Sequence, residues 1–133
     1  MTDLDHIMDM LDWNNAIDVQ KKGIELAGKV KNINAFIQPY YGQNSKMFWE
    51  NCAVILCARP DFELEPYLYD LLRWISDLNW PGARRVYERL ERFSLYDSLS
   101  SKINRCKEEA IALEEDNWAE TLRRLENSYS NKI

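Results

Sequence analysis

Apolar side chains recur every three or four residues along most of the chain, the spacing that places them on one face of an α-helix. The first such stripe consists of Leu4, Ile7, Met8 and Leu11. The longest consists of Leu95, Leu99, Ile103, Cys106, Ala110 and Leu113. No segment shows strand-like alternation, and four Gly and four Pro are too few for the turns of an all-β fold. The pattern predicts an all-α protein of about six to eight antiparallel helices.

The segment from Leu71 to Val86 contains two apolar stripes with almost no sequence between them. Asn79 can cap the second helix through its side-chain oxygen, and Pro81 suits the first helical turn, where no N–H donor is needed. Two helices joined this closely fold back on each other, with Trp80 at the corner. The sequence therefore predicts an antiparallel helical hairpin with its corner near residues 79–80.

A similar hairpin sequence occurs near the N-terminus. Residues 11–19 align without a gap on residues 78–86, with Leu, Trp, Ala and Val identical and an acid or amide before each Trp. By this likeness Asp12 caps the second helix of the chain, and Trp13 faces inward with Ile17. The alignment predicts another corner near residues 12–13.

A third, shorter copy begins at Asp116 and contains Trp118, which predicts a corner near residues 116–118. Successive Trp residues at 13, 49, 80 and 118 are 36, 31 and 38 positions apart by subtraction, close to the roughly 34 to 47 residues of helical-hairpin arrays. We predict one domain over 1–133 built of stacked HEAT-like hairpins, a short α-solenoid. The alternative is that an abundant residue shows this spacing by coincidence.

The net charge of −5 is distributed unevenly along the chain. Residues 1–70 carry eleven acids and six bases, residues 71–107 carry four acids and eight bases, and residues 108–133 carry seven acids and three bases. This balance disfavours uniform nucleic-acid binding, whereas a basic protein would be attracted towards either end of the chain.

The residues offer no recognisable catalytic or metal site. His6, the only histidine, lies on the polar side of the first predicted helix without a second ligand of suitable spacing. No Gly-rich phosphate loop or nucleophile elbow is present. Carboxylate runs such as Glu108-Glu109 are typical of a solvated helix face. We therefore expect a non-enzymatic protein without a cofactor.

The cysteines and the N-terminus indicate a cytoplasmic protein. Cys52, Cys57 and Cys106 form an odd set on apolar stripes, as expected for reduced, buried thiols. Asp3 and Asp5 interrupt any signal peptide, and no segment approaches the ~20 apolar residues of a membrane span.

Arg85, Arg89 and Arg92 form a basic stripe at helical spacing. The stripe could contact phosphates, or the acidic end of a second copy in a weak dimer or a self-assembling helical scaffold. Because Glu88 and Glu91 interleave with the arginines, pairing within the helix, as between Glu88 and Arg92, is favoured. A monomer or a weak dimer is expected.

Three aromatic residues and three acids are candidates for partner binding. Tyr40 and Tyr41 lie in a Pro/Gly loop, where one of them could tuck between helices or both could serve as exposed interface anchors. Phe62 lies between two acids and presents the same two alternatives. The acidic candidates are Glu114, Glu115 and Asp116, in the turn before the last helix.

Residues 71–83 resemble a family of small bacterial all-helical proteins with HEAT-like packing. The marker of that family is a helix ending in Asp-x-Asn-Trp-Pro, here Asp77, Asn79, Trp80 and Pro81. Its members are cytosolic immunity proteins, encoded beside polymorphic or contact-dependent inhibition toxins. The resemblance implies a binder that blocks the C-terminal domain of a cognate toxin.

The likeness extends to residues 11–15 and 48–53, and so covers roughly residues 7–93. It supplies no catalytic residue and implies a structural role for the motif residues Asp12, Trp13, Asp77, Asn79, Trp80 and Pro81. Residues 94–133 lie outside it and are the candidate segment for partner specificity. Many such toxin domains are basic nucleases, and an acidic binder would associate faster with them.

Overall fold

A computed structural model describes residues 3–39 and 46–130 of the chain. All regular structure in these two ranges is helical, in one small domain, which confirms the predicted all-α class. The α-helices are α1 (Asp3–Met10), α2 (Ile17–Ala27), α3 (Trp49–Cys57), α4 (Asp61–Leu64), α5 (Leu68–Trp74), α6 (Ala83–Glu91), α7 (Tyr96–Ala112) and α8 (Asp116–Ser130). Short 3-10 helices cover Ile33–Phe36, Lys46–Phe48 and Glu65–Tyr67.

The helix α3 lies in the middle of the fold, as its apolar circumference predicts. It packs against α2, against α6, and against the two 3-10 helices that precede it, Ile33–Phe36 and Lys46–Phe48. Its buried residues are Trp49, Asn51, Cys52, Ala53, Ile55 and Leu56. On either side of this centre, α1 pairs with α2, and α7 pairs with both α5 and α8. The buried faces merge into a single hydrophobic core.

The longest predicted stripe forms the longest helix. Leu99, Ile103, Cys106 and Ala110 are all buried on α7, as their spacing requires. Leu113 departs from the prediction, because α7 ends before it and its side chain is exposed. Three residues then lead into α8, so the turn lies at residues 113–115, just before the predicted corner near residues 116–118.

The predicted corner near residues 79–80 is wrong in its detail. The helix α5 ends at Trp74 rather than Leu78, and eight residues precede α6. Asn79 caps no helix, and its backbone N–H donates to Asp77 Oδ1 at 2.9 Å within the turn. The residue immediately before α6 is Gly82, whose φ of +82° is easily reached only by glycine.

Close packing explains why the turn takes this form. A Cβ atom on Gly82 would lie 2.8 Å from Ala53 Cβ and 2.9 Å from Trp74 Cζ2. The indole N–H of Trp74 donates to Pro81 O at 3.0 Å, which holds the turn against the buried ring. Pro81 therefore lies in the turn and not in the first helical turn of α6.

The predicted corner at residues 12–13 also differs from expectation. The helix α2 begins only at Ile17, and Asp12 accepts a hydrogen bond from Asn14 N at 2.8 Å instead of capping it. Trp13 and Ile17 do not face inward; the side chain of Trp13 is 48% exposed and that of Ile17 more so. Unlike Trp80, Trp13 has no aromatic ring to pack against among the described residues.

Arginine side chains close the ends of two helices. Arg59 donates to Ala27 O and Val30 O, at 2.9 and 2.7 Å, where α2 ends. Arg89 donates to the carbonyl oxygens of Cys57, the last residue of α3, and of Arg59, two residues beyond it. Carbonyl groups at a helix end lack intrahelical partners, so the two guanidinium groups supply donors there; Ala27 O also accepts from Val30 N.

Of the predicted basic stripe, Arg92 is exposed and outside the ion pairs of the described residues, whereas the other two arginines are paired. Arg89 forms an ion pair with Asp61 at 2.5 Å and is largely buried, and Arg85 pairs with Glu50 of α3. Both pairs join separate helices, in contrast to the expected pairing along α6 with Glu88.

The cysteines and the histidine were predicted to be reduced thiols and an isolated side chain, respectively. Cys52 and Cys106 are buried as predicted, whereas Cys57 is partly exposed, and all three thiols are free. Burial raises the pKa of Cys52 to about 12. His6 is exposed on α1. Within residues 3–39 and 46–130, no three His, Cys, Asp or Glu side chains converge as a metal site would require. None of the helices in these ranges has the length and apolar content to cross a membrane.

Candidate protein-binding site

The predicted partner-binding residues do not form one surface. Tyr40 and Tyr41 lie outside the described residues. Phe62 is 72% exposed, on α4 rather than in a loop. Its neighbour Asp61 accepts a hydrogen bond from Ser94 N, just before α7 begins, whereas the acidic candidates follow the other end of α7. A helix of 17 residues is about 25 Å long, so Phe62 and the acids lie at opposite ends of it.

The acidic candidates occupy a tightly hydrogen-bonded helix end. Glu115 N donates to Ala110 O at 2.8 Å, and Glu114 N donates to Ile111 O at 3.1 Å. This pair of bonds is the Schellman arrangement, which satisfies the last carbonyls of a helix and needs a left-handed residue. That residue is Glu114, with φ of 57°, the only described non-glycine with positive φ. Glycine is the usual occupant of this position.

The turn is anchored to the rest of the molecule by Glu115. Its carboxylate pairs with Arg73 of α5 at 2.6 Å, and the pair is partly buried. The guanidinium of Arg73 lies 4.6 Å from the ring centroid of Trp118, a favourable cation–π distance. The indole N–H of Trp118 in turn donates to Leu72 O at 3.0 Å. Glu115 therefore has a structural role, and the segment that it holds is fixed in place.

Two aliphatic side chains project from this fixed turn. Ile111 is 71% exposed and Leu113 is 55% exposed. The sequence pattern placed Leu113 in the core and did not single out Ile111. Ile111 could have been noticed, because it is a large apolar residue that lies off the buried stripe of its own helix. Two exposed large aliphatic residues within three positions at one helix end are a feature of binding surfaces.

Three exposed carboxylates lie close in the sequence to the two aliphatic side chains. Glu108 lies one helical turn before Ile111, and Glu114 and Asp116 flank the turn on its other side; all three are exposed. None of the three takes part in an ion pair among the described residues. We call this set the tip surface, and its members are Glu108, Ile111, Leu113, Glu114 and Asp116.

The tip surface continues into the turn that precedes α6. A groove of about 450 Å³ is lined by Glu114, Asp116 and Trp118 together with Ser76. A second groove, of about 430 Å³, is lined by Asp77 and other residues of the same turn, and by residues of α8. The corners near 79–80 and 116–118 therefore adjoin and give one continuous, mostly polar face.

A cluster of tryptophan rings supports the other side of this turn. The ring centroid of Trp49 lies 5.5 Å from that of Trp80 and 6.2 Å from that of Trp74, in both cases edge to face. Glu50 Oε1 accepts a hydrogen bond from Gly82 N at 2.9 Å. The motif residues Trp80 and Pro81 are thus part of the packing between α3 and the turn, as the resemblance implies.

Comparison with known proteins identifies one family. The family model described as "Domain of unknown function (DUF5071)" matches residues 50–125, from the second residue of α3 into α8. No curated protein and no solved structure matches the chain. The matched segment includes the tip surface and the motif Asp77-Leu78-Asn79-Trp80-Pro81, and it excludes α1 and α2. Because the match covers more than half of the residues, the chain belongs to the DUF5071 family.

Proposed function

We propose that this chain is a non-enzymatic, cytoplasmic immunity protein that binds and neutralises the C-terminal domain of a cognate bacterial toxin, such as a basic nuclease. The proposal has two sources. One is the resemblance carried by Asp77, Asn79, Trp80 and Pro81. The other, which carries it physically, is the tip surface, where two exposed aliphatic side chains and three exposed carboxylates lie at one fixed helix end.

The chemistry of the tip surface suits a basic protein. Aliphatic side chains gain free energy when a partner removes them from water, at about 25 cal/mol per Å² of apolar area. The surrounding carboxylates attract cationic residues during the approach and disfavour acidic competitors. A nucleic-acid partner would be repelled by the same charges.

Rigidity of the turn favours binding further. Association loses free energy when loops and side chains become ordered at an interface. The backbone of residues 113–115 is already held by the Schellman hydrogen bonds, and Glu115 is held by Arg73. A partner would therefore meet a surface that needs little rearrangement.

The test is co-expression with the product of the adjacent upstream gene. We expect the tagged chain to co-purify with a C-terminal fragment of a large secreted protein, and to rescue the growth arrest that this fragment causes. The matched control is the same fragment expressed with a charge-reversed chain, Glu114→Lys with Asp116→Lys. Growth arrest that persists beside well-expressed wild-type chain, with no complex recovered, would exclude the proposed function.

A further inference from the structure

We propose that Trp49 and Trp80 form a binding site for a lysine side chain of the protein partner, and that Lys46 occupies this site in the free protein. The inference rests on the proposed function in one respect, since it takes the partner to be a basic protein. The site lies on the opposite side of the turn of residues 75–82 from the tip surface.

The geometry of the two rings is that of an aromatic corner. Their planes are perpendicular, at 89°, and their centroids are 5.5 Å apart. The ammonium nitrogen of Lys46 lies 5.8 Å from the centroid of Trp49 and 5.9 Å from that of Trp80. One cation therefore faces two tryptophans, the aromatic side chain that attracts cations most strongly.

Lys46 is a weak occupant of this corner. Both distances lie close to the ~6 Å at which the attraction becomes insignificant. Lys46 is exposed and forms no ion pair among the described residues. Its long side chain must also lose rotamer freedom to remain over the rings. A cation brought by a partner would displace it at little cost.

The surroundings of the corner leave room for such an exchange. Trp80 is partly exposed and lines a groove of about 490 Å³ together with Leu78 and Asn79. The charged residues of this groove are Glu50, Glu88, Arg84 and Arg85, so its carboxylates and guanidinium groups are equal in number. Trp49 is buried, yet its indole N–H has no hydrogen-bond partner among the described atoms. A lysine ammonium only donates hydrogen bonds, so a cation of the partner would reach the corner over the partly exposed ring of Trp80.

The test uses a lysine analogue and does not require the toxin. Nα-acetyl-lysine amide is titrated at millimolar concentration and constant ionic strength into the 15N-labelled full chain, while the indole N–H signals are followed. Nα-acetyl-norleucine amide, which lacks the charge, is the control ligand. The variants are Lys46→Ala, which removes the internal occupant, and Trp13→Phe, which removes the exposed indole of the first corner.

We expect saturable shifts of the Trp49 and Trp80 signals with the lysine analogue only, and an affinity about two- to five-fold higher in Lys46→Ala. Trp13→Phe should titrate as the wild type does. Equal shifts with both analogues, or an affinity unchanged by Lys46→Ala, would overturn the site. Because the titration contains no toxin, its failure leaves the immunity proposal standing, and failure of co-expression leaves the titration result standing.

Discussion

At the scale of single residues, Glu114 holds a backbone conformation that its side chain does not favour. A non-glycine residue with φ near 57° costs about 1 kcal/mol or more, and glycine avoids that cost. The structural requirement at this position is met by the backbone alone, through the hydrogen bonds to Ile111 and Ala110. The turn therefore does not need the glutamate side chain, and the carboxylate of Glu114 is available for a role outside the fold.

The first prediction separates these two roles. Glu114→Gly should raise the free energy of unfolding by about 1 kcal/mol in urea, because glycine adopts the left-handed conformation without strain. The same variant should bind the toxin domain less tightly. As a control, Glu108→Gly should lower stability by about 1 kcal/mol, since residue 108 lies inside α7. A destabilised Glu114→Gly would show that the carboxylate serves the fold.

The second prediction concerns Gly82. Gly82→Ala combines a φ of +82° with a Cβ atom less than 3 Å from Ala53 and Trp74, so it should destabilise the protein by several kcal/mol, on the order of 3. Gly28→Ala is the control, because Gly28 has φ of −59° and the nearest atom to an added Cβ is 3.3 Å away. Thermal unfolding of the two variants should differ widely. Similar melting temperatures would contradict the account of this turn.

At the scale of elements, the arginine contacts decide how the helices join. Arg89 closes α3, pairs with Asp61 and thereby reaches the start of α7, because Asp61 also accepts hydrogen bonds from Ser94 N and Oγ. Burial tends to raise the pKa of Asp61, but the hydrogen bonds of Ser94 and the charge of Arg89 outweigh it and lower the pKa below its ordinary 3.8.

The third prediction follows from this contact. Arg89→Met should cost about 2 to 4 kcal/mol. It removes the cation beside the Asp61 carboxylate, which keeps only the hydrogen bonds from Ser94, and it removes the guanidinium donor of the Cys57 and Arg59 carbonyls. Arg85→Met should cost less than about 1 kcal/mol, since the Arg85–Glu50 pair is exposed. Urea denaturation of both variants at neutral pH measures the difference. Equal losses would mean that the Arg89 contacts do not join the helices.

The pH dependence has a definite sign. The pKa of Asp61 is lower in the folded chain than in the unfolded one, so its contribution to stability is full above 3.8 and is lost as the pH falls through the folded value. Wild-type protein should therefore lose stability in this acid range. Arg89→Met should lose less over the same range, because its carboxylate has already lost the cation.

Sequence periodicity correctly predicted which side of a helix is buried where the helix buries a single face. Leu99, Ile103 and Cys106 lie where the spacing placed them, because burial of one stripe decides the orientation of a long helix. The corner at Asn79 could not be predicted in the same way. Its local capping signals were overruled by the fit of Gly82 beneath Trp74 and Ala53, and Ala53 is distant in sequence.

In the candidate site, too, local features were predicted from the sequence and contacts between distant residues were not. Exposed acids at Glu114 and Asp116 were predicted, since charged residues in a turn remain in water. The structural role of Glu115 was not, because its partner Arg73 lies 42 residues away. Trp13 was wrongly predicted to be buried, on the strength of a shared local motif. It shares a motif with Trp80, but only Trp80 meets the ring of Trp49.

At the scale of the whole molecule, folding pairs four of the eight cations in the basic middle of the sequence with acids of the described residues. Cations of residues 71–107 pair with acids of both flanking segments. The pairs are Arg85–Glu50, Arg89–Asp61, Arg73–Glu115 and Lys107–Glu126. The acids outside these pairs include Glu108, Glu114 and Asp116, so the tip surface has three carboxylates outside the ion pairs of the described residues, where the proposed partner would approach.

The most direct test of that claim is the association rate constant with the toxin domain, measured by stopped flow at low and high salt. Glu114→Lys with Asp116→Lys should slow association about ten-fold or more at low salt, with a smaller effect at high salt. Asp5→Lys with Asp9→Lys changes the net charge equally on the exposed side of α1 and should slow it far less. If the two double variants associate at the same rate, the tip surface is not where the partner binds.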